Sequence, residues 1–236
     1  MENNLPKSIE NCPIVDSLIE IRFKSTINHN AIFGIIYNSL RHDFPKVDNL
    51  PILQIPEPIR MNDPNLKHKP LYRISNNDYV IQIGSDILAI GSFPKYVGWE
   101  LFSKTIFEVL NKIESLGIIG EVDRLGLRYV NFFEDNIFSN IKLEVNLGGT
   151  SIINQKSVFR TEINNQNFNS ILQISNDAMS ENRIGSVIDI DCSKTEGLQD
   201  FFKNKESIIN EAHLVEKELF FKLISADYLK KFNPTY

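Results

Sequence analysis

Two arginines and two acidic residues at matching spacing are the first feature of this sequence that could bind a ligand or form ion pairs. Arg124 and Arg128 are four residues apart in an alternating apolar segment, so a β-strand would place both side chains on one face. Asp16 and Glu20 have the same spacing in an earlier segment of this kind. Arginine binds carboxylates through paired hydrogen bonds. The four residues predict a structural ion-pair ladder between neighbouring strands, with a floor for a small anionic ligand as the functional alternative.

Three further acidic residues suggest a second chemistry. Asp189 and Asp191 share one face of a predicted strand, and Glu162 lies on a nearby predicted strand. Clustered carboxylates bind Mg²⁺, which supports phosphodiester hydrolysis. A restriction-type nuclease also needs a lysine on the adjoining strand, but Lys194 lies beyond the predicted strand end. A metal-dependent nuclease or toxin is therefore an alternative, weighed against a solvated sheet face.

Other catalytic signatures do not occur in the sequence. The histidines at positions 29, 42, 68 and 213 lack metal-ligand spacing, and the sequence contains no P-loop and no Gly-x-Ser-x-Gly. Cys12 and Cys192 form no Cys-x-x-Cys pair, so we expect two reduced thiols. We predict no catalytic residue, no metal and no cofactor, and a protein that is not an enzyme.

Periodicity places these residues in an α+β protein. The element order reads β-α-β-β-β-α-β, then four strands and a long C-terminal helix. Strands in hairpins with few helices predict antiparallel or mixed sheets in two β-rich halves, with helices packed on one face. We expect halves at 1–135 and 136–236, or one continuous domain. The predicted elements that matter most are strands at 17–23, 124–133 and 141–147, and a helix at 198–224.

Two segments are candidates for binding a partner. The stretch 45–70 holds six of the ten prolines, and we interpret it as an extended arm, with a functional loop as the alternative. Arg60, Lys67 and Lys69 form either a solvated loop surface or a small basic contact for a partner. The C-terminal helix is apolar over much of its circumference, which predicts two packing partners. One is its own sheet. The other would be a second copy or another protein, contacted through phenylalanines at four positions: Phe201, Phe202, Phe220 and Phe221. The alternative is a helix buried deep in a single core.

Composition excludes some classes of protein. The 236 residues are 42% hydrophobic and 23% charged, as in an ordinary globular protein with its own core. The net charge of −5 argues against strong independent binding of nucleic acid. The polar residues 1–10 contain no apolar signal segment, and no run is long enough to span a membrane. We expect a cytoplasmic protein.

Three segments together resemble a sporadically distributed, uncharacterised bacterial protein family. They are the opening NCPIVDSLIEIRF at 11–23, the central RLGLRYVNFF at 124–133 and the closing helix from Glu211 to Phe221 with the following residues 229–232. Asp16 stands where the family pattern leads us to expect glutamate. The resemblance covers the whole chain and brings no established activity. Sporadic distribution is typical of genes in bacterial defence regions, so the resemblance implies an antiviral setting.

These observations predict a non-enzymatic accessory subunit that acts through protein–protein interaction. We expect it to form a homodimer and to assist a larger protein or ribonucleoprotein, for example a CRISPR nuclease complex in antiviral defence. The alternatives are the nuclease or toxin built on Glu162, Asp189 and Asp191, and a sensor of small anionic ligands built on the two arginines.

Overall fold

The computed structural model describes residues 5–152, 155–165, 167–180 and 182–236, and it confirms the α+β fold. Its strands are β1 (Ile14–Ser25), β2 (Lys46–Asn49), β3 (Tyr72–Ser75), β4 (Tyr79–Ile83), β5 (Ile87–Ser92), β6 (Ile119–Phe133), β7 (Asn146–Leu147), β8 (Thr150–Ser151), β9 (Val158–Asn164), β10 (Asn169–Ser180) and β11 (Arg183–Lys194). Its α-helices are α1 (His29–Leu40), α2 (Glu57–Asn62), α3 (Trp99–Ser115), α4 (Phe201–Leu223) and α5 (Ala226–Leu229).

Nine strands form one sheet in the order β2-β3-β4-β5-β1-β6-β11-β10-β9, and β7 pairs with β8 in a separate hairpin. The pairings of β1 with β5, β9 with β10, and β2 to β5 with one another are antiparallel. Strands β1 and β6 are neighbours, as the charge spacing predicted.

The chain divides into two compact units. Unit 1 comprises 1–16, 128–192 and 210–236, and unit 2 comprises 17–127 and 193–209. Strands β1 and β6 and helix α4 each contribute residues to both units. The units therefore interleave along the sequence and do not coincide with the expected halves 1–135 and 136–236.

Unit 2 has its core on alternating strand positions and on one stripe of each long helix. Ile19 and Ile21 of β1 are buried and register with Ile90 and Leu88 of β5. Helix α1 buries Ile32, Ile36 and Leu40, which are four residues apart and so share one face. The side chain of Asn28 accepts a hydrogen bond from the Asn30 amide and begins this helix.

Unit 1 has a core in which the C-terminal part of α4 packs on the sheet. The buried cluster includes β6, β10, β11, α4 and α5 through Phe133, Leu172, Ile174, Ile188, Ile190, Phe220, Leu223, Ile224 and Tyr228. Ser225 accepts a hydrogen bond from the Tyr228 amide, so α5 begins directly after α4. The helix expected at 198–224 is confirmed and runs from Phe201 to Leu223.

Two local predictions are wrong. The stretch 45–70 is not an extended arm, because it contains β2, a 3-10 turn at Pro51–Gln54 and helix α2. Prolines in the first turn of each helix suit these starts, where an N–H would have no partner in the helix. The expected strand at 141–147 is also wrong: only Asn146–Leu147 is a strand, and Leu147 is 72% exposed rather than inward.

Candidate functional site

The Arg124 side chain forms an ion pair with Glu20 in unit 2. Its Nη1 lies 2.9 Å from Glu20 Oε1, and both side chains are less than one fifth exposed. Glu20 also accepts a hydrogen bond from Arg22 Nε at 2.8 Å. Gly126 makes room for this arrangement, because a Cβ there would collide with the Arg124 guanidinium. The expected pairing of Arg124 with Glu20 is therefore present.

Arg128, in unit 1, binds a carboxylate that the sequence had suggested for another role. Its Nε and Nη2 donate to the two oxygens of Asp189 at 2.8 and 2.6 Å, which is the paired geometry that arginine favours. The hydrogen bond to Asp189, with the charges of Asp189, Asp16 and Asp191, raises the pKa of Arg128. Arg128 thus has Asp189 as its hydrogen-bonded partner, and the charge of Asp16 acts on Arg128 as well.

Replacing Arg128 with alanine is expected to cost about 1–2 kcal/mol of unfolding free energy, because the Asp189 side chain, 16% exposed, loses its partner. Urea denaturation would measure this, with Asp189→Ala and the double variant completing a cycle. Lys24→Ala is the control, because it removes an ion pair that is more than half exposed at both side chains, and its denaturation midpoint should match that of wild type. An Arg128→Ala protein of unchanged stability that no longer binds an anion would instead identify a ligand floor.

The three acidic residues of the nuclease alternative are engaged in ion pairs or electrostatic contacts. Asp189 binds Arg128, Glu162 lies 3.4 Å from Arg160 on the same strand, and the charge of Asp191 acts on Arg128. Within the described residues, no group of three or more His, Cys, Asp or Glu side chains is arranged to hold a metal ion. The geometry of Glu162, Asp189 and Asp191 therefore gives no support to a metal-dependent site.

The sequence reading missed a group of buried ionisable residues in unit 1. Glu216 of α4 is 5% exposed, and burial raises its pKa from 4.5 to about 8, an effect that Lys217 partly opposes. Burial, with the charge of Lys217, lowers the pKa of His213 to about 3. Its Nδ1 lies 3.4 Å from the Tyr129 hydroxyl. Burial also raises the pKa of Cys192 to about 12, so its thiol stays protonated.

A sequence signal for Glu216 did exist. It lies four residues after Ala212 and four before Phe220, and both of these are buried. That spacing places the carboxyl on the apolar stripe of α4. At neutral pH the group is largely uncharged, because a carboxylate without water is costly.

Most of the expected partner-binding residues have other roles. Phe201 is 2% exposed and Phe220 is 7% exposed, so these two lie in the core and cannot meet a partner. Phe202 packs edge-on against Phe201, and Phe221 packs beside the unit 1 core. The wide apolar surface of α4 is thus explained by burial of the helix within the protein.

The basic residues of the stretch 45–70 differ in their surroundings. Arg60 Nε donates to the Ile55 carbonyl at 2.9 Å, and Arg60 lines a cavity of about 120 Å³ with Phe33, Leu53 and Tyr72. Lys67 and Lys69 are exposed. Of Arg60, Lys67 and Lys69, the two lysines therefore have the exposure that a surface contact requires.

Two large apolar side chains near the tip of the β10–β11 hairpin in unit 1 are exposed. Met179 is 74% exposed and Ile184 is 72% exposed. Strand β9 begins opposite Ser175, so β10 continues past it. Asn176, where β10 passes the end of β9, hydrogen bonds with Ser157 and Gln155. Arg183, the first residue of β11 after the turn, pairs with Glu134 at 3.0 Å.

No family model matches this chain, and no curated protein matches it. The family resemblance stays a prediction. Among the helices in the described part of the chain, none has the length and apolar content needed to cross a membrane.

Proposed function

We propose that this protein is a non-enzymatic accessory subunit that binds a larger protein or ribonucleoprotein. The observation that carries the proposal is the β10–β11 tip, where Met179 and Ile184 are each more than 70% exposed on a hairpin that is held by the hydrogen bonds of Asn176 and the ion pair of Arg183. Large apolar side chains held in water on a fixed element gain free energy when a partner covers them. The ion pairs of Arg124 and Arg128 also support the proposal. Both arginines bind carboxylates of their own chain, which favours a structural role over a ligand site.

The chemistry of the tip favours a protein partner over free nucleic acid. Methionine and isoleucine suit an apolar pocket, whereas nucleic acid requires an excess of Lys and Arg facing phosphates. The net charge is −5, which disfavours general phosphate binding. A role beside a bacterial antiviral complex such as a CRISPR nuclease follows from the family resemblance alone. We also propose that the subunit is a homodimer and that it acts in the cytoplasm.

Affinity capture from the native host tests the tip directly. The Met179→Ser/Ile184→Ser variant is expected to lose at least about tenfold of its captured partner, since apolar anchors dominate binding. Leu101→Ser is the matched control, because Leu101 is 55% exposed on α3, and it should capture as wild type does. Nuclease treatment of the lysate separates a protein partner from a ribonucleoprotein. Equal capture by all three proteins would refute a role for the tip.

A further inference from the structure

We propose that two copies of this chain pair through their β9 strands, antiparallel and centred on Thr161, so that Arg160 of each copy faces Glu162 of the other. The inference deepens the homodimer of the proposed function and depends on it. It concerns a surface in unit 1 that is separate from the β10–β11 tip.

Strand β9 is the last strand at its end of the sheet. The amide of Asn165 donates to the Phe168 carbonyl, and the amide of Asn176 donates to the Ser157 carbonyl. The main-chain N–H and C=O groups of the odd-numbered residues of β9 therefore point toward β10. The main-chain groups of four residues point the other way: Val158, Arg160, Glu162 and Asn164. In the described part of the chain, no other segment donates to or accepts from them. All four residues are exposed.

The main-chain groups that point away from β10 could pair with a second β9 in several antiparallel registers. The charges of Arg160 and Glu162 favour one of these registers. A two-fold axis at Thr161 places Arg160 opposite Glu162 twice, and it gives about eight main-chain hydrogen bonds from four bonded pairs. Moving the register by two residues places either Arg160 opposite Arg160 or Glu162 opposite Glu162. Like charges directly opposite each other are unfavourable, whereas opposite charges stabilise the pair. The sequence of β9 is thus complementary to itself in one register.

The charges of β9 are available for such a pair. Arg160 and Glu162 contact each other at 3.4 Å, and both side chains are about half exposed. The apolar side chains agree with the same register, because Phe159 would lie opposite Ile163 of the second copy. Ile163 is 37% exposed in the single chain and would be covered.

The opposite edge of the sheet, strand β2, is protected against pairing with another strand, whereas β9 is not. Strand β2 has four residues and lies between Pro45 and Pro51. Short length and flanking prolines are means by which proteins block pairing at an edge. Strand β9 has seven residues and no proline. An edge of this length left open is suited to strand addition.

Charge reversal tests the register. Light scattering with size exclusion should give about twice the 27.1 kDa chain mass for wild type at micromolar concentration. Arg160→Glu and Glu162→Arg should each weaken the dimer at least about tenfold, because each places like charges opposite one another. The double variant Arg160→Glu/Glu162→Arg restores complementarity and should dimerise as wild type. Glu162→Pro should also give monomers, since its amide points away from β10 and no internal hydrogen bond is lost.

The outcomes separate this inference from the proposed function. A wild-type dimer that survives both single reversals and the proline would show that the copies pair elsewhere, which overturns the β9 pairing and leaves the homodimer intact. A wild-type monomer at all concentrations would overturn both. Weak dimers in all charge variants, the double variant included, would exclude the proposed register. Melting curves like that of wild type would show that each variant is folded.

Discussion

Replacing Glu216 with glutamine is expected to stabilise the folded protein by about 4 kcal/mol at pH 8, at about 1.4 kcal/mol for each unit of pKa shift. The carboxyl is 5% exposed, and burial raises its pKa from 4.5 to about 8. Glutamine has nearly the same shape and cannot ionise. It therefore removes the cost of a buried charge that the wild-type protein meets as the pH rises.

The sign of the pH dependence follows from the two pKa values of Glu216. Between 4.5 and about 8 the folded state holds a proton that the unfolded state releases, so stability is full below pH 4.5 and is lost as the pH rises toward 8. His213 acts in the opposite direction. Its folded pKa of about 3 means that stability is full above pH 6.5 and is lost as the pH falls.

Thermal melting across pH 4 to 9 measures both effects. We expect a maximum near pH 5–6 for wild type and, at pH 8, a melting temperature roughly 8–16 °C higher for Glu216→Gln, at about 2–4 °C for each kcal/mol. Glu218→Gln is the control, because Glu218 lies on the exposed face of the same helix, and its profile should match wild type. If Glu216→Gln melted at or below wild type at pH 8, the carboxylate would have a partner that stabilises its charge.

A single methyl group at Gly185 is expected to cost about 3 kcal/mol, since overpacking against a rigid backbone is costly. An ideal Cβ there would overlap the carbonyl oxygen of Phe133 and lie 2.8 Å from the Phe132 ring. A flexible side chain could move aside, but a carbonyl in the neighbouring strand cannot move without disturbing its hydrogen bonds. Arg183, whose guanidinium lies 5.3 Å from the centroid of the Phe132 ring, restricts that ring as well.

Gly34→Ala is the matched control for Gly185→Ala. Gly34 lies within α1, and a Cβ there would have no heavy atom within 4 Å. Alanine is the better helix former, so the change should stabilise by about 0.5–1 kcal/mol. Chemical denaturation of both variants beside wild type would measure the two shifts. A Gly185→Ala protein as stable as wild type would mean that β6 and β11 separate easily at this point.

The sequence predicted the elements with strong periodicity, including β1, β6, α4 and the neighbouring positions of β1 and β6. It did not predict Asp189 as the partner of Arg128, because the pairing depends on strand order across 61 residues of chain. The alternation at 141–147 was misleading, since β7 pairs with β8 alone. The wide apolar surface of α4 left a partner and a single core as alternatives, and the burial of Phe201 and Phe220 favours the core.

We propose that this protein works by association and that its β9 edge pairs with the β9 edge of a second copy. Mixing the Arg160→Glu and Glu162→Arg proteins tests it most directly. Positions 160 and 162 are both acidic in the first variant and both basic in the second, so opposite charges would face each other at both places in the mixed pair. Light scattering should therefore show a heterodimer, although each protein alone is monomeric. A mixture that remained monomeric while wild type dimerised would contradict the claim.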